Sequence, residues 1–285
     1  MTVVGFVGLG NMGQPMATNV ARAGFDLVCF DAAGTHERLP PGATAAADLA
    51  DLFARADTVL LSVPDGAATI AIVDEIVATA ERRLTTVVDL STVGPQVAGE
   101  VAERLQTIGV TYTDGPVSGG VAGARAATIS MMFAGPADVL ETNRPVLETI
   151  AANVFHVGTR AGQGQAMKLL NNYLSATALA ATSEAIAFGV AEGLDMGVIL
   201  DVLNASTGRN SATTDKFPNR VMTGSFDAGF HTRLMAKDVR LFLDSVARMG
   251  TAATVAESVS DVWQRADEAM PGSDFTQIWQ FVSGR

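Results

Sequence analysis

The chain has 285 residues, 48% of them hydrophobic and only 17% charged, with a formal net charge of −11. That length exceeds most single cores and suggests two domains. The acidic balance argues against nucleic acid or an anionic membrane surface as partner, so an anionic substrate has to be drawn in by a local positive site.

The first segment is the most informative. An apolar run of strand type at 3–7 leads into Gly8, Gly10 and Gly13 at G-x-G-x-x-G spacing, and an amphipathic helix follows over 12–23. In such a unit the first glycine makes the tight turn, the second lets a pyrophosphate approach the backbone, and the third lets the helix pack on the strand. The helix N-terminus then offers free N–H groups to the phosphates. A second strand over 26–30 ends at Asp31, 21 residues after Gly10. A carboxylate there accepts hydrogen bonds from the adenosine ribose and repels a 2′-phosphate. No Arg stands among Ala32, Ala33 and Gly34 to receive that phosphate, so NAD is expected ahead of NADP, with NADP left open. Gly8, Gly10, Asn11, Met12, Gly13 and Asp31 are the expected dinucleotide contacts.

Further strands are expected at 58–62, 86–90, 111–114, 129–133 and 154–157, with helices over 67–80, 96–108 and 137–150 between them. This alternation predicts a mainly parallel, doubly wound α/β sheet of Rossmann type, with some antiparallel pairing at its edge. Val63-Pro64 follows the third strand and Ser91-Thr92 the fourth. Both fall beyond the carboxyl ends of strands, where open α/β sheets bind ligands, and Thr92 offers a hydroxyl to the nicotinamide ribose. After the strand at 111–114, the Ser118 hydroxyl and the N–H groups of Gly119 and Gly120 either form a nest for a carboxylate or belong to an ordinary flexible loop. Cys29 is the one cysteine, inside an apolar strand, which excludes an intrachain disulfide; no cluster has metal-ligand spacing, and His36, His156 and His231 do not group. The chain opens at once on a strand with no basic segment before an apolar one, so a cytoplasmic protein without a signal peptide is expected.

From Gln163 the pattern becomes helical. Residues 163–192 contain no proline, and a helix of that length runs about 45 Å, with Gly193 as its stop. Its most apolar part, 177–191, is interrupted by Thr182, Ser183 and Glu184 and is expected to fall short of a membrane span. The expected division is a nucleotide-binding domain over 1–160 and an all-α domain over 161–285, joined by this helix. Lys168 and Asn172 sit at i and i+4 on it and share a face. Desolvation lowers the pKa of a lysine, which suits proton exchange; a solvated lysine beside a polar helix face is the other reading. Asp195 is the expected N-cap of a helix over 196–203. Amphipathic helices are expected over 236–248 and 254–266, and Lys237-Asp238 lies early in the first, either at the nicotinamide pocket or as a surface ion pair.

Taken in order, GFVGLGNMGQPMATNV, SVP, DLST, DGPVSGGVAGA, GQGQAMKLLNN and KD resemble the β-hydroxyacid dehydrogenase family, which includes 3-hydroxyisobutyrate dehydrogenase and tartronate semialdehyde reductase. The resemblance runs the full length. It implies a Rossmann domain, an all-α domain that helps form homodimers or homotetramers, and reversible NAD(P)-dependent oxidation of a small 3-hydroxy acid carrying a carboxylate, in either physiological direction. It implies Lys168 as the catalytic residue, Ser118, Gly119, Gly120 and Asn172 as substrate contacts, and Val63, Pro64, Thr92 and Lys237 as cofactor contacts, with no metal. Asn171-Asn172 replaces the His-Asn pair of 6-phosphogluconate dehydrogenase, and Lys168 argues against imine reduction. The segment 210–218, read as a loop, lacks the Trp and Tyr of serine-oxidising members; Arg209, Asn210 and Lys216 there are candidate contacts for a more polar substrate. A non-catalytic NAD sensor is the alternative from another class, and the Lys168, Asn172 and Ser118 set argues against it.

Overall fold

The computed structural model describes residues 2–284, which divide into two compact units between Lys168 and Leu169. The first unit alternates strand and helix: β1 (Val3–Val7), α1 (Gly13–Arg22), β2 (Asp26–Phe30), β3 (Thr44–Ala45), α2 (Leu49–Arg55), β4 (Thr58–Leu61), α3 (Gly66–Ala78), β5 (Thr86–Asp89), α4 (Pro95–Gln106), β6 (Thr111–Asp114), β7 (Val117–Ser118), α5 (Gly120–Ala126), β8 (Ile129–Ala134), α6 (Ala137–Leu147) and β9 (Ala151–Gly158). The strands form one sheet in the order β3-β2-β1-β4-β5-β6-β8-β7, with β9 paired to β8. Pairing is parallel from β3 through β6 and turns antiparallel where β8 meets β6 and β7. This is the expected doubly wound sheet with its antiparallel edge.

Strand periodicity explains the two layers. Side chains alternate across a strand, so Val4 and Phe6 of β1, Leu27 and Cys29 of β2, Leu60 of β4 and Val88 of β5 enter one core. Their neighbours Val7, Val28, Val59, Leu61 and Val87 enter the other. Both faces are buried, which is why these strands read as continuous apolar runs. Burial also pushes the Cys29 thiol up to about 12.

Register sets the functional edge. Val7 lies opposite both Phe30 and Leu61, Leu61 opposite Asp89, and Asp89 opposite Asp114. The carboxyl ends of five parallel strands therefore finish in one row. The turns that follow, carrying Gly8, Asp31, Val63 and Thr92, leave the sheet side by side.

The helix α7 (Gln163–Ala191) is continuous for 29 residues and runs across the division between the units. Its length and a mean hydropathy of 1.4 over its most apolar window meet what a membrane crossing requires, so the expected shortfall does not hold: the three polar residues at 182–184 do not interrupt the helix. Ala176, Leu179 and Ile186 of this helix are core residues of the second unit, as in the central helix of a packed bundle. The remaining helices are α8 (Met196–Asn204), α9 (Thr232–Met249), α10 (Thr254–Ala269) and α11 (Ile278–Ser283). Asp195 caps α8 as expected, accepting the Val198 N–H at 3.1 Å. The helix expected from 236 starts four residues earlier, at Thr232. Most of the segment 210–218, expected as a loop, lies in a π-helix over Ala212–Val221 with Pro218 inside it. Phe217 packs edge-on against Trp279, and the Trp263 indole donates to the Ala176 carbonyl, so this segment and α10 close on the same core.

Candidate active site

The glycine turn is built by close packing. Gly8 has φ +93°, and a Cβ there would lie 2.2 Å from the Ser62 carbonyl oxygen. A Cβ on Gly13 would lie 1.9 Å from the Gly8 carbonyl oxygen. These two positions accept only glycine because strand, turn and helix meet there. Gly10 differs, since nothing lies within 4 Å of where its Cβ would be. Asn11 is exposed and Met12 half-buried, and no side chain caps the start of α1. The turn thus leaves open space in front of an uncapped helix N-terminus.

Asp31 ties the next turn to the glycines. Its carboxylate accepts the Leu9 N–H at 2.6 Å and the Ala33 N–H at 2.8 Å. Arg38, in a short 3-10 turn, reaches it at 3.3 Å. The expectation that no Arg serves this position is therefore corrected: residues 32–34 carry no base, but the chain curls back and brings one from seven residues downstream.

The loops after β4 and β5 are held together from behind. Val63 N–H donates to Ser91 Oγ at 2.9 Å, and Ser91 N–H donates to Asp89 Oδ1 at 2.9 Å. Asp89 also accepts from the hydroxyls of Thr69 and Tyr112, both at 3.0 Å. Burial raises the Asp89 carboxyl against these bonds. Burial, together with Asp89 and Asp114, pushes the Tyr112 phenol well above its ordinary range, which keeps it a neutral donor. Pro64 is exposed and Thr92 partly buried on these loops.

The start of α7 rests on the same strand ends. Asp114, the last residue of β6, accepts the N–H groups of Gly162 and Gln165, both at 2.7 Å. Burial pushes its carboxyl up to about 7, and Asp89 adds to the rise. A Cβ on Gly164 would lie 2.3 Å from the Met132 carbonyl oxygen, and Gly162 has φ +90°, so the two glycines of GQGQ let the helix begin against the sheet. Lys168, the next turn along, is buried at 8% exposure.

Ser118 closes the two-residue strand β7, and Gly119, at φ +140°, precedes α5. The segment is thus strand and helix and not the flexible loop that was the other reading; β8 supplies the pairing, with Ser118 opposite Ser130. In the second unit Asn172 is buried and donates to Asp238 Oδ2 at 2.6 Å. Asp238 is 2% exposed and pairs at 3.2 Å with Lys237, whose side chain is 28% exposed, so the ion pair is present with its carboxylate buried. Asn210 accepts the N–H groups of Ala212 and Thr213 and donates to Thr182; its amide is engaged in starting the π-helix. Lys216 pairs with Asp215 at 3.0 Å.

Comparison with known proteins decides the class. Residues 3–158 match the NAD binding domain of 6-phosphogluconate dehydrogenase, and residues 162–282 match the NAD-binding domain of NADP-dependent 3-hydroxyisobutyrate dehydrogenase. A 3-hydroxyisobutyrate dehydrogenase of Pseudomonas aeruginosa is 35% identical, with 100% of both chains covered. The chain belongs to the 3-hydroxyisobutyrate dehydrogenase family. A Mycobacterium tuberculosis 3-hydroxyisobutyrate dehydrogenase solved with L-serine has the same fold, at TM-score 0.92 and 32% identity over 99% of each chain. A protein named Psf3, solved with NADP+ and 2-OPP, is 26% identical at TM-score 0.82, over 99% of this chain and 100% of that one.

As a 3-hydroxyisobutyrate dehydrogenase family member the chain is an NAD(P)-dependent oxidoreductase, and its residues fit that cofactor. The open approach at Gly10, the uncapped helix start and the Asp31 carboxylate are the features a dinucleotide needs. Sequence reasoning missed Arg38, Asp89, Asp114 and Gln165. Two of them carried a signal: Asp89 and Asp114 are acids that end buried strands, at the starts of DLST and DGPVSGG, where a charge requires partners.

Proposed function

We propose that the chain catalyses the reversible NAD-linked oxidation of a short-chain 3-hydroxy acid to the corresponding semialdehyde or keto acid. The observation that carries the reading is a buried lysine, Lys168, on the helix whose first turn is bonded to the row of strand ends that holds the cofactor loops. Bound NAD(P) supplies the hydride acceptor at its nicotinamide. Lys168 takes the hydroxyl proton during oxidation and returns it during reduction. Ser118, Gly119 and Gly120 bind the substrate carboxylate through a hydroxyl and backbone N–H groups. Asn172 orients the substrate hydroxyl; its bond to Asp238 fixes the amide. Gly8, Gly10, Asn11, Met12, Gly13, Asp31, Val63, Pro64, Thr92 and Lys237 contact the cofactor. Asp31 favours NAD, and Arg38 keeps NADP as a second cofactor. The mycobacterial relative's L-serine supports a small hydroxy acid as substrate class, while Arg209 and Lys216 extend the proposal to acids with a second polar group. A cytoplasmic homodimer or homotetramer completes the reading, supported by exposed apolar side chains at Phe188, Leu194, Val198 and Val202.

The test is initial-rate NADH formation with 3-hydroxyisobutyrate, 3-hydroxypropionate, glycerate, serine and threonate, each with NAD and NADP. Lys168→Ala is expected to bind NADH as wild type and to lose at least about a hundredfold in turnover, the usual share of acid–base catalysis. Wild-type turnover in that variant overturns the reading.

A further inference from the structure

Gln165 is buried at 0% exposure, and its side-chain amide makes three hydrogen bonds to backbone. Its Oε1 accepts the N–H of Val93 at 2.9 Å and of Gly94 at 3.2 Å, and its Nε2 donates to the Ser91 carbonyl at 2.9 Å. These three backbone groups flank Thr92, Ser91 before it and Val93 and Gly94 after it. The Gln165 backbone N–H is itself fixed by Asp114. Lys168 lies three residues on, in the same helix, so both ends of Gln165 bear on residues of the proposed site.

From this geometry we infer that Gln165 is a positioning residue, setting the loop that carries Thr92 in register with the turn of helix that carries Lys168. The inference rests on the proposed dehydrogenase reading, in which Thr92 meets the nicotinamide ribose and Lys168 the substrate hydroxyl. The chemistry requires an amide of this length. A carboxylate accepts the two N–H groups but has nothing to donate to Ser91, and it places a charge beside the buried Asp114. Asparagine falls one methylene short. Methionine fills the volume and makes none of the three bonds. The side chain's hydrogen bonds go to the Thr92 loop and not to the glycine turn or Asp31, so dinucleotide affinity and hydride transfer respond differently to its loss. Reacting atoms must lie within a few tenths of an ångström of their productive places, and a loop freed on one side loses that placement before it loses affinity.

The experiment compares wild type with Gln165→Met. NADH affinity is read by fluorescence titration, kcat and KM by initial rates, and the primary isotope effect with substrate deuterated at the carbinol carbon. The expected result is a dissociation constant for NADH within about threefold of wild type, kcat lowered at least about tenfold, and a larger isotope effect on kcat as hydride transfer becomes limiting. If Gln165→Met does not fold, Gln165→Asn is measured in the same way, with the same split expected. Unchanged kcat and isotope effect in a folded variant overturn the inference, as does a loss confined to NADH affinity. Failure of the dehydrogenase reading shows elsewhere, as wild-type turnover in Lys168→Ala.

Discussion

Asp31 meets two demands with one carboxylate. It holds the glycine turn through the Leu9 N–H, with Arg38 beside it at 3.3 Å, and in the proposed function it binds the adenosine ribose. A cofactor without a 2′-phosphate leaves that pair intact. A 2′-phosphate adds negative charge next to Asp31, and Arg38 is then the compensating cation. Arg38→Ala is expected to lower kcat/KM with NADP about tenfold, the worth of one charge-assisted hydrogen bond, and to leave NAD within about twofold. Initial rates with the two cofactors at one substrate concentration check this; equal losses with both would assign Arg38 to holding the turn alone. At this scale the glycines and Asp31 were readable because their constraints are local: a positive φ, a close backbone approach, an acid at a strand end. Arg38 and Gln165 were not, since each acts on a residue that only the folded chain brings near. Nothing in seven-residue or seventy-residue spacing marks such a contact.

At the scale of elements the start of α7 is the informative junction. Asp114 receives two backbone N–H groups of that first turn, yet burial raises its carboxyl from 3.8 to about 7. A carboxyl raised on folding binds its proton more tightly in the native state. Its contribution to stability is therefore complete below the unfolded value and is lost as pH climbs through the folded one. Denaturant melts of wild type at about pH 5 and about pH 8 are expected to differ by this loss, and Asp114→Asn is expected to narrow the difference. An unchanged difference would show that the carboxyl keeps its ordinary range. The extent of α7 was legible, since an unbroken run without proline ending at Gly193 specifies a helix with a stop. The two-residue β7 was not, because such a strand exists only through its pairing with β8. The π-helix over Ala212–Val221 was hidden for the opposite reason: Pro218 reads as a breaker, and a wider helical turn accommodates it.

At the scale of the whole molecule, low charge density meets an apolar surface. Only 17% of the residues are charged, while Phe188 is 69% exposed and Leu194, Val198 and Val202 are exposed by more than half. Large side chains exposed together on α8 and the end of α7 are the usual mark of a surface covered by another subunit. The paired substitution Phe188→Asp with Val198→Asp is expected to convert the proposed homo-oligomer to monomer in light scattering, with the fold retained by circular dichroism. An unchanged mass would place the interface on another face. The buried Cys29 has a practical consequence at this scale. With a single sulfhydryl that is held protonated inside the sheet, the native chain is already a blank background for thiol chemistry. One cysteine introduced on the surface would then take a fluorophore or spin label alone, with no native residue to remove first.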